Sequence, residues 1–170
     1  MHADAGHAQP GPSTGGHTLE MGNVTIHAMS GQHHATTLAS SDAEMYELSR
    51  GVAVMLAMRE FLTEIGLPQL GPSRVQCDNI SCILKADSAL SEKRSLYMKR
   101  RGAFVQEAQL MGEIDVVHVP GEDNRADILT KPLPFKVFAK HRDAIMNVAK
   151  MALNVHSAIS MLARALWRPG

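Results

Sequence analysis

The sequence predicts an α/β fold, a sheet flanked by helices. Three observations carry that prediction. Short β-rich stretches alternate with longer segments of three-four apolar spacing, turn residues stand at the junctions, and acids recur at strand ends and helix starts. The 170 residues suffice for one domain with a real core. A hydrophobic content of 45% with 20% charged residues is that of an ordinary soluble globular chain. Aromatics are scarce at 4%, and 11 Met with many Ala and Leu fill the apolar positions. Lys+Arg 17 balances Asp+Glu 17, so net charge points to no polyanion, although its distribution still can. Cys77 and Cys82 have no metal-type partner cysteine, which fits a reducing intracellular setting. The N-terminus is polar and Gly/Pro-rich, unlike a signal peptide.

Residues 1–16 contain four Gly and two Pro and read as a loop whose one acid is Asp4, a solvated residue near a terminus on that reading. Two strands follow, His17–Met21 and Val24–Met29, joined by a Gly22-Asn23 turn. Residues 36–66 form a helix: Met45, Leu48, Val52, Met55, Leu62 and Ile65 keep the three-four spacing, interrupted at Arg59. Gly66 and Pro68 end it. Ser41-Asp-Ala-Glu44 is a capping-box pattern. Glu44 is therefore either a capping residue or a site residue, and Glu47, one turn on along nearly the same face, is its rival.

Arg74–Asn79 reads as a short buried strand ending in Asp78, an N-cap or a site residue, before a helix that starts near Ile80. From Asp87 to Met111 a helical segment carries Lys93, Arg94, Lys99, Arg100 and Arg101, either a solvated face or a phosphate-contacting one. Gly112 ends it. Ile114–Val119 is a strand, with His118 a strand residue, and Pro120-Gly121 breaks it. Asp123 and Asn124 are N-cap types, and Pro132 and Pro134 keep the following helix short. Asp127 thus falls in a first helical turn just past a strand, either a helix-dipole partner or a metal ligand. A helix then runs from Phe135 to Trp167 on an apolar stripe. Its charge-free span, Met151–Ala163, is shorter than the roughly 20 apolar residues of a membrane crossing, so it reads as a packing or partner helix.

In an α/β sheet with short connections, strand ends and helix starts meet at one rim, where sites form. Asp4, Glu44, Asp78 and Asp127 crowded there would repel one another unless divalent cations neutralise them. Mg²⁺ suits such an all-oxygen set, and two ions about 4 Å apart would clamp both oxygens of a phosphodiester displacement. The chain resembles the ribonuclease H domain of copia-type retrotransposon polyproteins. The resemblance spans Asp4 to Leu133 and rests on Leu38-Ala-Ser-Ser-Asp-Ala-Glu44, Cys77-Asp-Asn-Ile-Ser-Cys-Ile83 and Asn124-Arg-Ala-Asp-Ile-Leu-Thr-Lys-Pro-Leu133. Phe104-Val-Gln-Glu107 and Gly112-Glu-Ile114 add to it.

The resemblance implies a ribonuclease H-like mixed sheet over residues 1–133, with residues 134–170 as a helical extension. It implies catalytic, metal-holding roles for Asp4, Glu44, Asp78 and Asp127, with two Mg²⁺ or Mn²⁺, and it prefers Glu44 to Glu47. The substrate implied is an RNA–DNA hybrid, its RNA strand told apart by the 2′-hydroxyl. Gly11, Ser13, Thr14 and Asn79 would meet its backbone, and Lys99, Arg100 and Arg101 its phosphates. A polymerase domain precedes such a domain in the family, and no membrane is involved. Only Met1-His2-Ala3 stand before Asp4, so the family's first strand is expected to be largely missing, and no residue matches the family's flexible-loop His. A second function is thereby open: an inactive remnant binding nucleic acid or protein through its basic and C-terminal helices.

Overall fold

The computed structural model describes residues 1–6, 12–22, 24–33, 40–79 and 96–148. Five strands, β1 (His2–Gly6), β2 (Thr14–Met21), β3 (Val24–Gln32), β4 (Ser73–Cys77) and β5 (Ile114–His118), form one mixed sheet in the order β3-β2-β1-β4-β5. β1 pairs antiparallel with β2 and parallel with β4, β2 pairs antiparallel with β3, and β4 pairs parallel with β5. Among the described residues the helices are α1 (Ser40–Glu64), α2 (Leu96–Leu110) and α3 (Phe135–Ile145), with two short 3-10 turns, Gly121–Asp123 and Arg125–Leu129, between β5 and α3. This is the expected ribonuclease H-like α/β sheet flanked by helices.

The core lies between the sheet and the α1/α2 layer. Ala3, Leu19, Val75, Cys77, Ile114 and Val116 face Met45, Leu48, Val52, Met55, Val105 and Ala108 across it. The apolar spacing read along α1 is that contact surface. Its polar interruption has a use: Arg59 donates to Glu113 Oε2 at 2.7 Å, Ser73 Oγ at 2.8 Å and the Gly71 carbonyl at 2.9 Å, fastening the α1–β4 loop. Gly66 (φ 81°) and Gly112 (φ 70°) take the left-handed conformation that ends α1 and α2. Over the other face of the sheet lies the segment from the 3-10 turns to α3. It approaches closely because a Cβ at Gly16 would stand 2.5 Å from Leu129 Cβ, and one at Gly6 2.8 Å from the Thr130 carbonyl.

Several sequence expectations need correction. Residues 2–6 are not loop but the middle strand, so the first strand is shortened to five residues and the sheet keeps its centre. His2, Ala3, Asp4 and Ala5 are buried there, and pairing on both sides outweighs a composition with no β-branched residue. Strands β2 and β3 are longer than read, starting at Thr14 and ending at Gln32. α1 begins at Ser40, which moves Ser41 from the expected cap into the first turn. The helix from Phe135 stops at Ile145, and Asn147 turns left-handed (φ 56°), so no single helix reaches Trp167. The remainder of that helix, Gly11, the Asn23 turn residue, the start of the 36–66 helix, and the stretch from Ile80 through Lys93 and Arg94 lie outside the described residues.

Candidate metal centre

Four elements each deliver one acid to the same place. The parallel register pairs His2 with Gln76, so two residues further along lie Asp4, inside β1, and Asp78, just past the end of β4. Val119 N–H donates to the Cys77 carbonyl at 3.0 Å, and Pro120-Gly121 then turns the chain back over the sheet. Asn124, fully buried, sets the position of the second 3-10 turn. Its side-chain nitrogen donates to the Ala3 carbonyl at 3.0 Å, and its oxygen accepts from Ala126 N–H at 3.3 Å. One side chain thus caps the turn that carries Asp127 and pins that turn to the strand that carries Asp4. Glu44 enters from α1.

Oxygen atoms of Asp4, Asp78 and Asp127 all lie within 4.8 Å of one another, and donor atoms of Glu44, Cys77 and Asp78 do likewise. Asp78 belongs to both groups, and its Oδ1 is buried without a hydrogen-bond partner among the described residues. Asp4 Oδ2 accepts a hydrogen bond from Thr130 Oγ1. Lys131 Nζ stands 2.9 Å from Asp127 Oδ1 and 3.9 Å from Asp4 Oδ2. Burial, with the Asp127 and Asp78 charges, pushes the Asp4 carboxyl up to about 6 against the opposing pull of Thr130 and Lys131. Burial, then Asp4, Cys77 and Asp78, push Glu44 up to about 9. Burial also raises Asp127 against the pull of Lys131. The lysine's own pKa rises because Asp127 and Asp4 outweigh its desolvation. Protons and one ammonium therefore offset a concentration of negative charge that the protein otherwise leaves uncompensated. An all-oxygen set with an unbonded buried carboxylate oxygen fits a hard divalent cation.

Glu47 is not in this cluster. It is fully buried and accepts hydrogen bonds from His17 Nδ1 at 2.6 Å and His33 Nε2 at 2.9 Å, with Arg50 at 3.3 Å. Burial alone would raise its pKa, but these partners hold it down at about 2. The two glutamates differ in their neighbours: Glu44 faces acids and Glu47 faces bases.

The predicted nucleic-acid contacts divide. Thr14 pairs with Gly6, two residues beyond Asp4, so it stands on the same rim as the carboxylates. Ser13 is buried, its carbonyl accepting from His33 N–H at 2.8 Å, and Asn79 directly follows Asp78. Arg101 is committed within the protein. Its guanidinium lies 4.0 Å from the Tyr46 ring centroid and 4.7 Å from that of Tyr97, and it donates to Ser49 Oγ at 2.6 Å. Lys99 and Arg100 make no hydrogen bond or ion pair with the carboxylates among the described residues. Sequence reasoning missed Thr130 and Lys131. Both stand in the Asn124–Leu133 motif, and Lys131 is four residues past Asp127, the helical spacing that brings opposite charges together.

Set against known proteins, the architecture is that of the ribonuclease H fold. The structure matches LC11-RNase H1, solved in complex with an RNA/DNA hybrid, with a TM-score of 0.55 at 22% identity over 75% of this chain and 90% of that one. It matches the N-terminal ribonuclease H domain of Rv2228c from Mycobacterium tuberculosis with a TM-score of 0.54 at 18% identity, over 89% of this chain and 95% of that one. The ribonuclease H1 of Halobacterium salinarum gives a TM-score of 0.54 at 21% identity, over 75% and 90%. In sequence the chain is similar to the retrovirus-related Pol polyprotein from transposon RE1 of Arabidopsis thaliana, 27% identical over 126 residues, 74% of this chain. That from transposon RE2 of the same plant is 26% identical over 121 residues, 71% of this chain. The chain spans only 9% and 8% of these two polyproteins. No family model matches it. Among the described residues no helix is long and apolar enough to cross a membrane.

Proposed function

We propose that this chain is a metal-dependent endonuclease that hydrolyses the RNA strand of an RNA–DNA hybrid, as part of or derived from a retrotransposon polyprotein. The observation that carries the proposal is the convergence of Asp4, Glu44, Asp78 and Asp127 on one rim of a ribonuclease H fold, with a buried Asp78 oxygen that no described residue bonds. Asp4, Asp78 and Asp127 would hold a magnesium-type ion, with Glu44 beside them. Bound there, such ions supply charge neutralisation for the phosphodiester and a water acidic enough to attack it. The chain's own residues do the rest. Thr130 orients Asp4, Asn124 holds Asp127 level with β1, and Lys131 balances the cluster when no other cation does. Thr14 and Asn79 stand where a backbone laid across the rim would meet them, and Lys99 and Arg100 offer phosphate contacts on α2. A reducing intracellular setting keeps the Cys77 thiol beside the cluster unoxidised.

The hybrid-bound state of LC11-RNase H1 and the polyprotein context of the transposon sequences support this substrate class. The competing idea, an inactive remnant that only binds, drew on a largely missing first strand; the five-residue β1, paired with β2 and β4, supports the enzyme reading. The test is incubation of the purified chain with a strand-labelled hybrid and Mg²⁺, beside Asp78→Asn and Glu44→Gln. Loss of RNA-strand cleavage in both variants supports the proposal. Cleavage equal in all three proteins, or in none, defeats it.

A further inference from the structure

Beside the carboxylate cluster stands one donor that the nuclease reading leaves unused, the sulfur of Cys77. Cys77 is the last residue of β4 and points, with Val75, into the α1 side of the sheet, 1% exposed. Its sulfur lies within 4.8 Å of an oxygen of Glu44 and an oxygen of Asp78, which in turn lie within that distance of each other. Glu44 is 8% exposed, faces this sulfur, and makes no hydrogen bond or ion pair among the described residues. Asp78 is only half-buried, so the group opens to solvent along that residue. Two three-donor sets therefore share one aspartate. One is all oxygen; the other offers sulfur and two oxygens.

We infer that Glu44, Cys77 and Asp78 form a second cation site, selective for a thiophilic divalent ion such as Zn²⁺ or Cd²⁺ and exclusive of the magnesium-type site, because both require Asp78. The chemistry of the donors decides the preference. A thiolate is a soft ligand that binds Zn²⁺ and Cd²⁺ far better than Mg²⁺, whereas carboxylates alone favour the hard ion. Three protein ligands and one open position make a familiar four-coordinate zinc arrangement. Donors already within 4.8 Å have about an ångström to close to reach zinc–ligand distances of about 2.0–2.3 Å. As the sulfur–metal bond forms, the thiol proton leaves to solvent, so net reaction is ion in and proton out. Resting on the nuclease reading, the consequence is that a thiophilic ion switches the enzyme off by taking Asp78 and Glu44 from the catalytic set.

The experiment uses the full chain carrying Cys82→Ser, so that one thiol remains, and follows the ultraviolet sulfur-to-cadmium charge-transfer absorption during Cd²⁺ titration. We expect a band that saturates at one ion per chain, vanishes in Cys77→Ser and in Cys77→Ala, persists in Asp127→Asn, and is weakened at least about tenfold in Glu44→Gln. Circular dichroism shows whether each variant is folded, and the two Cys77 substitutions guard against one failing to fold. Excess Mg²⁺ should lower the apparent Cd²⁺ affinity. A folded parent chain without the band, or a band unchanged by both Cys77 substitutions, overturns the site, and indifference to Mg²⁺ overturns the sharing of Asp78. None of these readings requires cleavage, so a chain that binds Cd²⁺ in this way but never cuts a hybrid defeats the nuclease reading alone. Where cleavage occurs, one equivalent of Zn²⁺ should suppress it at saturating Mg²⁺.

Discussion

Glu44 and Glu47 stand three residues apart on one helix, are both buried, and are electrostatic opposites. Glu44 looks toward Asp4, Cys77 and Asp78 and is pushed up to about 9. Glu47 is gripped by two imidazoles and a guanidinium and is held down at about 2. The same residue type at the same depth on the same helix is a finished ion-pair network in one case and an unfinished one in the other. The comparison teaches that burial does not assign a carboxylate its role; the charges converging on it do. The protein completes Glu47 from within, and leaves Glu44 facing acids, with Lys131 pulling against them.

Breaking the finished network should have the largest effect. Glu47→Leu leaves His17 and His33 buried without their acceptor and should cost about 3–5 kcal/mol in urea unfolding. Glu44→Gln should act in the opposite direction, raising the stability of the ion-free chain at pH 7 by up to about 3 kcal/mol on linkage grounds; Mn²⁺ is expected to raise the melting temperature of the parent and not that of this variant. The signs separate with pH. Glu47 has a depressed pKa, so its contribution is full above 4.5 and is lost as pH falls toward about 2. Glu44 has a raised pKa, so its protonated form favours the fold at low pH, and that advantage is lost as pH climbs from 4.5 through about 9. Stability curves of the parent and both variants between those limits would show the two slopes vanish one at a time. Asn124→Ala, which strands the Ala3 carbonyl and the Ala126 N–H, should cost about 1–3 kcal/mol and weaken Mn²⁺ binding, measured by calorimetry. Smallest is Lys131→Met. The ammonium is 43% exposed, so solvent screening limits the loss to about 0.5–1 kcal/mol of ion-free stability. An unchanged melting temperature in that variant would mean that Lys131 contributes nothing to balancing the cluster.

Much of the site was legible where chemistry is local. The β5 alternation, the Pro120-Gly121 break and the Asn124 cap place Asp127 by rules that operate over a few residues, and all three stand in the structure. β1 was illegible for the converse reason. His2-Ala-Asp-Ala-Gly6 has no β-branched residue, and it is a strand because β2 and β4 enclose it, which no local window contains. The helical spacing of α1 does not separate Glu44 from Glu47, since both lie on nearly the same face, and only the resemblance preferred Glu44. The contrast in their surroundings comes from His17 and His33, which lie apart from α1 and from each other in sequence. Arg101 read as one of a basic run, and only the tertiary approach of Tyr46 removes it from that run. The stop after Ile145 had a faint signal in Asn147, a residue type that tolerates left-handed backbone, but the apolar stripe overrode it.

The tie between Asn124 and Ala3 spans 121 positions of the chain, and it has a kinetic meaning. During synthesis β1 emerges before α1, its parallel neighbour β4 arrives only after that helix, and its anchor later still. Such long-range closures are slow steps in folding. The mutually repelling acids are thus brought together at the end of the process, when the rest of the sheet is already in place to hold them. A released chain truncated before Asn124 should therefore keep its sheet, by circular dichroism, and bind Mn²⁺ more weakly than the whole chain in calorimetry.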